Sequence, residues 1–320
     1  TLRDYIDWTP FFIAWDLSGK YPRIFEDEEK GEEARRLYED ANALLDELAK
    51  RRAITCNGIC GLFPANSVGD DIEVYTDASR TEVATTFHML RQQTEKTGDR
   101  PNRALADFVA PTDSERDDYI GGFAVTGGLG LQPLVDAAKA DGDDYRAIML
   151  QALGDRLAEA FAEYLHEQVR TDYWGYAPDE DLSSKALVRE NYRGIRPAPG
   201  YPACPDHTEK PPLWDLLGVE KHTDISLTET LAMHPGASVC GLYFAHPEAS
   251  YYNVGTVQKD QIEDYAARKG MAVAEVERWL ASRLAYEPDT DLRAPAGDGA
   301  RASTDAASAK ADETEKIQAA

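Results

Sequence analysis

Four cysteines in 320 residues are too few for a disulfide framework, and so sparse a set suits a reducing compartment, here expected to be the cytoplasm. Long apolar runs are missing too: nothing approaches the ~18 consecutive apolar residues that a spanning helix needs. The N-terminus, TLRDYIDWTP, has neither the basic nor the apolar region of a signal peptide. It opens on Thr rather than Met, as a processed chain or a piece of a longer one does. Positive charge is scarce: 34 basic residues face 58 acidic ones, a net charge of −24. Such a field repels phosphate backbones and anionic lipid, so neither nucleic acid nor a membrane is expected as a partner. The excess reads as a solvated surface suited to high salt, or as an acidic docking face. There is no Walker A lysine loop and no G-x-S-x-G elbow, which leaves phosphate-loop and serine-hydrolase chemistry without an anchor. GGLGLQP (127–133) has a G-x-G but lacks the third glycine of a dinucleotide loop.

Enough apolar residue remains, 42% of the chain, to build a sizeable core. Residues 28–52 place Ala34, Leu37, Ala41, Leu44, Leu45 and Leu48 at helical spacing opposite charged positions, which predicts an amphipathic helix. GICGLFPAN and DDIEVYTD read as strands, the second with Ile72 and Val74 alternating around Glu73. RTEVATTFHMLRQQTEK reads as a second helix with Val83, Phe87 and Leu90 on one side; NRALADFVAP and YIGGFAVTGG read as strands. Asp143 to about Arg170 is the longest predicted helix, with a wide apolar stripe. A loop-rich stretch, 171–216, leads to ISLTETLAM, ASVCGLYFAHP and SYYNVGTV, which resemble an antiparallel meander. Two short helices follow, the first stopped by Gly270. Beyond Tyr286 only Leu292 and Ile317 are large aliphatics, so residues 287–320 are expected to form an acidic, Ala-rich disordered tail. Without repeats or a regular βαβ beat, the fold class is α+β.

The stretch RPAPGYPACPDH (196–207) carries most of the candidate chemistry. Four prolines stiffen it, and proline without an N–H suits neither a helix interior nor a central strand. Ala198 and Gly200 offer accessible backbone, Arg196 a planar fork for a carboxylate, and Tyr201 an aromatic face. A rigid structural turn explains the same composition. Cys56, Cys60, Cys204 and His207 could be read as a zinc set, though the spacing is only loosely finger-like and buried cysteine is commonly plain packing. Glu159, Glu163 and Glu167 recur at i, i+4, i+8, either as a solvated stripe or with Glu159 facing a cation such as a sulfonium or ammonium. His166, on a mostly apolar helix, reads as a structural hydrogen-bonder. Tyr251 and Tyr252, if in a strand, point to opposite faces.

Taken in order, YIDWTPFF, GLFPANSVGDDIEVY, LRQQTEKTG, LADFVAP, DRLAEAFAEYLHE, WGYAPDE, RENYRGIRPAPGYPACPDHTEK and EVERWL resemble the C-terminal activation domain of cobalamin-dependent methionine synthases, over residues 1 to about 286. The resemblance implies a single C-shaped α+β domain, a central twisted antiparallel sheet flanked by helices, that binds S-adenosylmethionine. It implies a repair role: the domain presents S-adenosylmethionine to cobalamin oxidised to cob(II)alamin, a flavodoxin-type donor supplies an electron, and methylcobalamin is restored. By the same resemblance Arg196 pairs with the methionyl carboxylate, and the backbone around Ala198, Gly200 and Tyr201 holds the adenine and its neighbours. Asp7 takes the ammonium, Glu159 and Glu190 lie near the sulfonium, and Tyr251 and Tyr252 border the adenosyl groove. No residue is implied as a metal ligand.

The family's D-x-H-x-x-G cobalamin motif and the homocysteine and folate regions have no counterpart in this sequence. Cobalamin is therefore expected on a partner domain or subunit, and the chain is expected to be the methyltransferase reactivation part of methionine biosynthesis. The −24 charge suits an acidic flavodoxin poorly unless a basic patch or high salt intervenes. The competing expectation is a non-catalytic docking module for the cobalamin domain or the reductase.

Overall fold

A computed structural model describes residues 1–288, apart from the side chains of residues 184 and 185. The expected tail lies, from residue 289 on, outside the described residues. In chain order the helices are α1 (Thr9–Ile13), α2 (Gly31–Arg51), α3 (Leu131–Ala140), α4 (Asp144–Gln168), α5 (Ser184–Val188), α6 (Lys210–Leu217), α7 (Val219–Thr223), α8 (Lys259–Lys269) and α9 (Val273–Trp279). The strands are β1 (Thr55–Val68), β2 (Asp71–Tyr75), β3 (Val83–His88), β4 (Asp118–Leu129), β5 (Ser226–Leu227), β6 (Met233–His234) and β7 (Ser238–Tyr243). Five strands are ordered β3-β2-β1-β4-β7, and β5 and β6 pair separately. Pairings β1–β2, β2–β3 and β4–β7 are antiparallel, as the α+β reading expects. Among the described residues no helix is long and apolar enough to cross a membrane.

The chain forms two compact units. The first comprises residues 1–62, 121–196 and 213–247. Its core brings Trp8, Phe11 and Phe12 together with Leu37, Leu44, Leu45 and Leu48 of α2 and with Met149, Leu150 and Leu153 of α4. All six apolar positions expected on α2 are buried, so its periodicity translates directly into packing. A second cluster sets Phe123 and Val125 of β4 and Tyr243 of β7 against Ala162, Leu165 and Val169. α4 starts on Asp143, whose carboxylate accepts the Arg146 amide at 2.9 Å. It ends in a π-turn at Val169–Tyr173, where the Trp174 amide reaches back five residues to the Val169 carbonyl at 2.9 Å.

The second unit comprises, among the described residues, 63–120, 197–212 and 248–288. Ile72 and Val74 of β2, Phe87 of β3, and Ile262 and Tyr265 of α8 are all buried. Three expectations change here. Residues 83–88 are a strand, not a helix: Val83, Thr85 and Thr86 are β-branched, and β2 satisfies their backbone in the register Ile72 to Phe87. Leu105–Phe108 is a 3₁₀ turn rather than a strand, held where the Asp107 carboxylate accepts the Ala104 amide at 2.9 Å. Residues 250–256 form no strand, the Asn253 side chain instead accepting the Gly255 amide at 2.9 Å in a local turn.

Candidate functional site

In the first unit the candidates gather around the C-terminal half of α4. Arg196 follows a short antiparallel bridge, Ile195 to Phe244, with amide–carbonyl bonds of 3.1 and 3.0 Å that fix its backbone. Its guanidinium donates from Nη2 to Glu163 Oε2 at 2.7 Å, and from Nη1 to the Tyr192 hydroxyl at 2.5 Å and to His166 Nδ1 at 3.3 Å. Behind it lies Arg170, fully buried, bonded from Nε and Nη2 to Glu180 at 2.7–3.1 Å, with its cation 3.9 Å from the centre of the Tyr192 ring. Glu163 Oε1 stands 3.9 Å from Arg170 Nη1.

His166 is fully buried, stacked on Tyr243 at 4.9 Å and met edge-on by Tyr192. Burial, with Arg196 and Arg170 adding to it, holds its pKa well below the ordinary histidine value, so the ring is neutral and accepts from Arg196 at Nδ1. The expected structural hydrogen-bonder is thus a member of the arginine cluster.

Glu190 has a left-handed backbone, φ 54°. Its side chain reaches solvent, yet it is lodged closely enough that desolvation raises its carboxyl pKa, while Arg196 pulls it down and Glu163 pushes it up. Glu159 is half-buried one turn before Glu163. Glu167 accepts the Tyr5 hydroxyl in a very short hydrogen bond, and the Tyr5 ring meets Tyr164 edge-on. The three glutamates are therefore not a solvated stripe: one is half-buried, one pairs with Arg196 and one is capped by a tyrosine. Asp7, two residues after Tyr5, accepts the amide of Thr9, the first residue of α1, at 2.9 Å.

In the second unit the loop 197–207 folds on itself. The Gly200 amide donates to the Cys204 carbonyl at 2.7 Å, that of Tyr201 to the Ala198 carbonyl at 3.1 Å, and that of Cys204 to the Tyr201 carbonyl at 2.9 Å. The amides of Gly200, Tyr201 and Cys204 thus close the loop. Gly200 has φ +98°, and a Cβ there would stand 2.2 Å from the His207 ring. His207 is held by Lys210, whose Nζ lies 2.9 Å from Nδ1. Burial and then that cation push its pKa down to about 4. Tyr201 is half exposed, Ala198 and Tyr251 half-buried, and Tyr252 buried against Phe108. Desolvation raises the Tyr252 phenol pKa.

Tyr192 and Arg170 were not singled out from the sequence, and Glu163 was read only as part of the glutamate stripe. A usable signal was present: Glu163, His166 and Arg170 stand at i, i+3, i+7, in phase with buried Ala162, Leu165 and Val169. Cys204 and Cys240 are buried and Cys56 and Cys60 half-buried. Among the described residues no three His, Cys, Asp or Glu side chains converge as a metal set.

A family model described as the activation domain of vitamin B12-dependent methionine synthase matches residues 1–270. Among solved structures, a crystal structure described as the MetH reactivation domain bound to AdoHcy is 64% identical, covers 90% of this chain and 88% of its own, and superposes with a TM-score of 0.88.

Proposed function

The chain belongs to the family of vitamin B12-dependent methionine synthase activation domains, and on that premise we propose that it binds S-adenosylmethionine and gives up its methyl group to reactivate cobalamin. The observation that carries this is the 64% identical structure with AdoHcy bound, because AdoHcy is what S-adenosylmethionine becomes once its methyl has left. Cobalamin, carried by a partner domain or subunit, supplies the metal centre that accepts the methyl. A flavodoxin-type donor supplies the electron.

This chain's own residues bind and orient the donor. Arg196 takes the methionyl carboxylate with a charge-assisted fork. Asp7 takes the ammonium, and Glu159 and Glu190 lie by the sulfonium, whose positive charge disappears as the S–CH₃ bond breaks. The raised pKa of Glu190 suits a carboxylate that gains from a nearby cation. The backbone around Ala198, Gly200 and Tyr201, the Tyr201 ring, Tyr251 and Tyr252 serve the adenosyl part, with Gly200 letting the loop turn against the His207 ring. The proposed ligand-binding domain is residues 1–286.

Calorimetry on the intact chain tests this. S-adenosylmethionine should bind, and Arg196→Ala should weaken binding by about 1.5–3 kcal/mol, the value of a hydrogen bond to a charged group. A folded chain that captures a cobalamin domain but binds no S-adenosylmethionine would leave the docking-module reading in its place.

A further inference from the structure

We propose that Glu163 is a positioning residue that aims the Arg196 guanidinium at the ligand's carboxylate. The inference rests on the assignment of Arg196 to that carboxylate, made above. An arginine side chain has four rotatable bonds and loses much rotamer freedom when it is held. Here protein groups hold it before any ligand arrives, among them Glu163 at Nη2, and Tyr192 and His166 at Nη1. Glu163 carries a full charge, and it projects from the long helix α4, with only 11% of its side chain exposed. Its second oxygen has no hydrogen-bond partner and faces Arg170 at 3.9 Å. Arg170 is committed to Glu180 and to the face of Tyr192, so it does not draw Glu163 away from Arg196.

A carboxylate beside a guanidinium that must bind another carboxylate acts in two opposed ways. It dilutes the attraction, and it fixes the plane of the fork. Two features favour the second. Glu163 divides its field between two arginines, Arg196 and Arg170. The fork is held on both terminal nitrogens, which sets its plane rather than merely its distance.

The test compares S-adenosylmethionine with its decarboxylated analogue, which lacks only the carboxylate, by calorimetry on the full chain. The ratio of the two dissociation constants measures the carboxylate preference, expected at roughly 10- to 100-fold for a charge-assisted bond. Arg196→Ala should bring it to about 1. Glu163→Ala should lower it by roughly fivefold or more, with affinity for the decarboxylated analogue nearly unchanged, whereas a general structural defect would weaken both ligands alike. Glu163→Gln keeps an acceptor at the same place and should restore the ratio to within about twofold. Tyr192→Phe removes only a hydroxyl, keeps the ring under Arg170, and should lower the ratio by a smaller factor; it tests the same geometry if Glu163→Ala does not fold. A ratio that is unchanged or raised in Glu163→Ala, with Arg196→Ala behaving as expected, overturns the inference alone. An unchanged ratio in Arg196→Ala overturns the assignment of Arg196 and the inference together.

Discussion

Both units bury charge, to different ends. In the second, the Lys269 ammonium contacts Asp206 Oδ2 at 3.2 Å, Thr208 Oγ1 at 2.7 Å and Glu209 more closely still. Tyr265 donates to Asp206 at 2.8 Å, and the His88 amide to Glu209 at 3.0 Å. Each of the ionic groups is bonded and almost nothing reaches water: Glu209 is fully buried and Lys269 7% exposed. In the first unit, Glu163 Oε1 and Arg170 Nη1 lack hydrogen-bond partners, and Arg196 is 15% exposed. A sealed, saturated cluster serves the fold. The other stays partly unsatisfied, and less of the fold is expected to rest on it, because a buried ion pair by itself is weak support for stability.

Lys269→Met strikes that contrast hardest. It leaves Asp206 and Glu209 buried without a cation and should cost about 3–5 kcal/mol in a urea titration; a loss under about 1 kcal/mol would erase the structural role of the sealed cluster. Gly200→Ala comes next. The left-handed backbone and the clash with His207 together should cost about 2–3 kcal/mol of stability, and a neutral result in the same titration would show that the ring moves aside freely. Arg196→Ala should cost only about 1–2 kcal/mol of stability, because the stranded Glu163 still faces Arg170. A loss equal to that of Lys269→Met would make the two clusters alike.

A further effect is in pH. A buried histidine with a depressed pKa gives stability that is present above the unfolded value, near 6.5, and is lost as pH falls toward the folded value. For His207 the window runs from about 6.5 down to about 4. His166 acts in the same direction. Glu190 opposes them, since its raised carboxyl pKa recovers stability as it protonates. His207→Gln should therefore flatten the slope of unfolding free energy against pH in that window, by at most about 1.4 kcal/mol per pH unit. An unaltered slope would place the acid sensitivity elsewhere.

Local periodicity made much of the fold legible. The α2 stripe and the Gly270 stop of α8 follow from residues within one or two turns of each other. The failures lie where a distant partner decides. Val83, Phe87 and Leu90 fit a helix face, and only the pairing of residues 83–88 with β2 overrides that spacing. LADFVA carries a strand-like composition that one aspartate side chain redirects into a turn. For the candidate residues, chemical type was readable and partnership was not. An arginine in a stiff loop announces interest in carboxylates, but nothing local says that Glu163 rather than Glu159 takes it, because the two differ by a single helical turn.

Glu190 has a consequence for anyone who would engineer this protein. A non-glycine residue in the left-handed region loses roughly 1–2 kcal/mol relative to its relaxed conformation, and Glu190 occupies it at φ 54°. A screen for heat tolerance alone would drift toward glycine or asparagine at this position and score the change as an improvement. The carboxylate would disappear without a warning from any melting curve, so libraries built on this scaffold should hold position 190 fixed or select on ligand binding at every round.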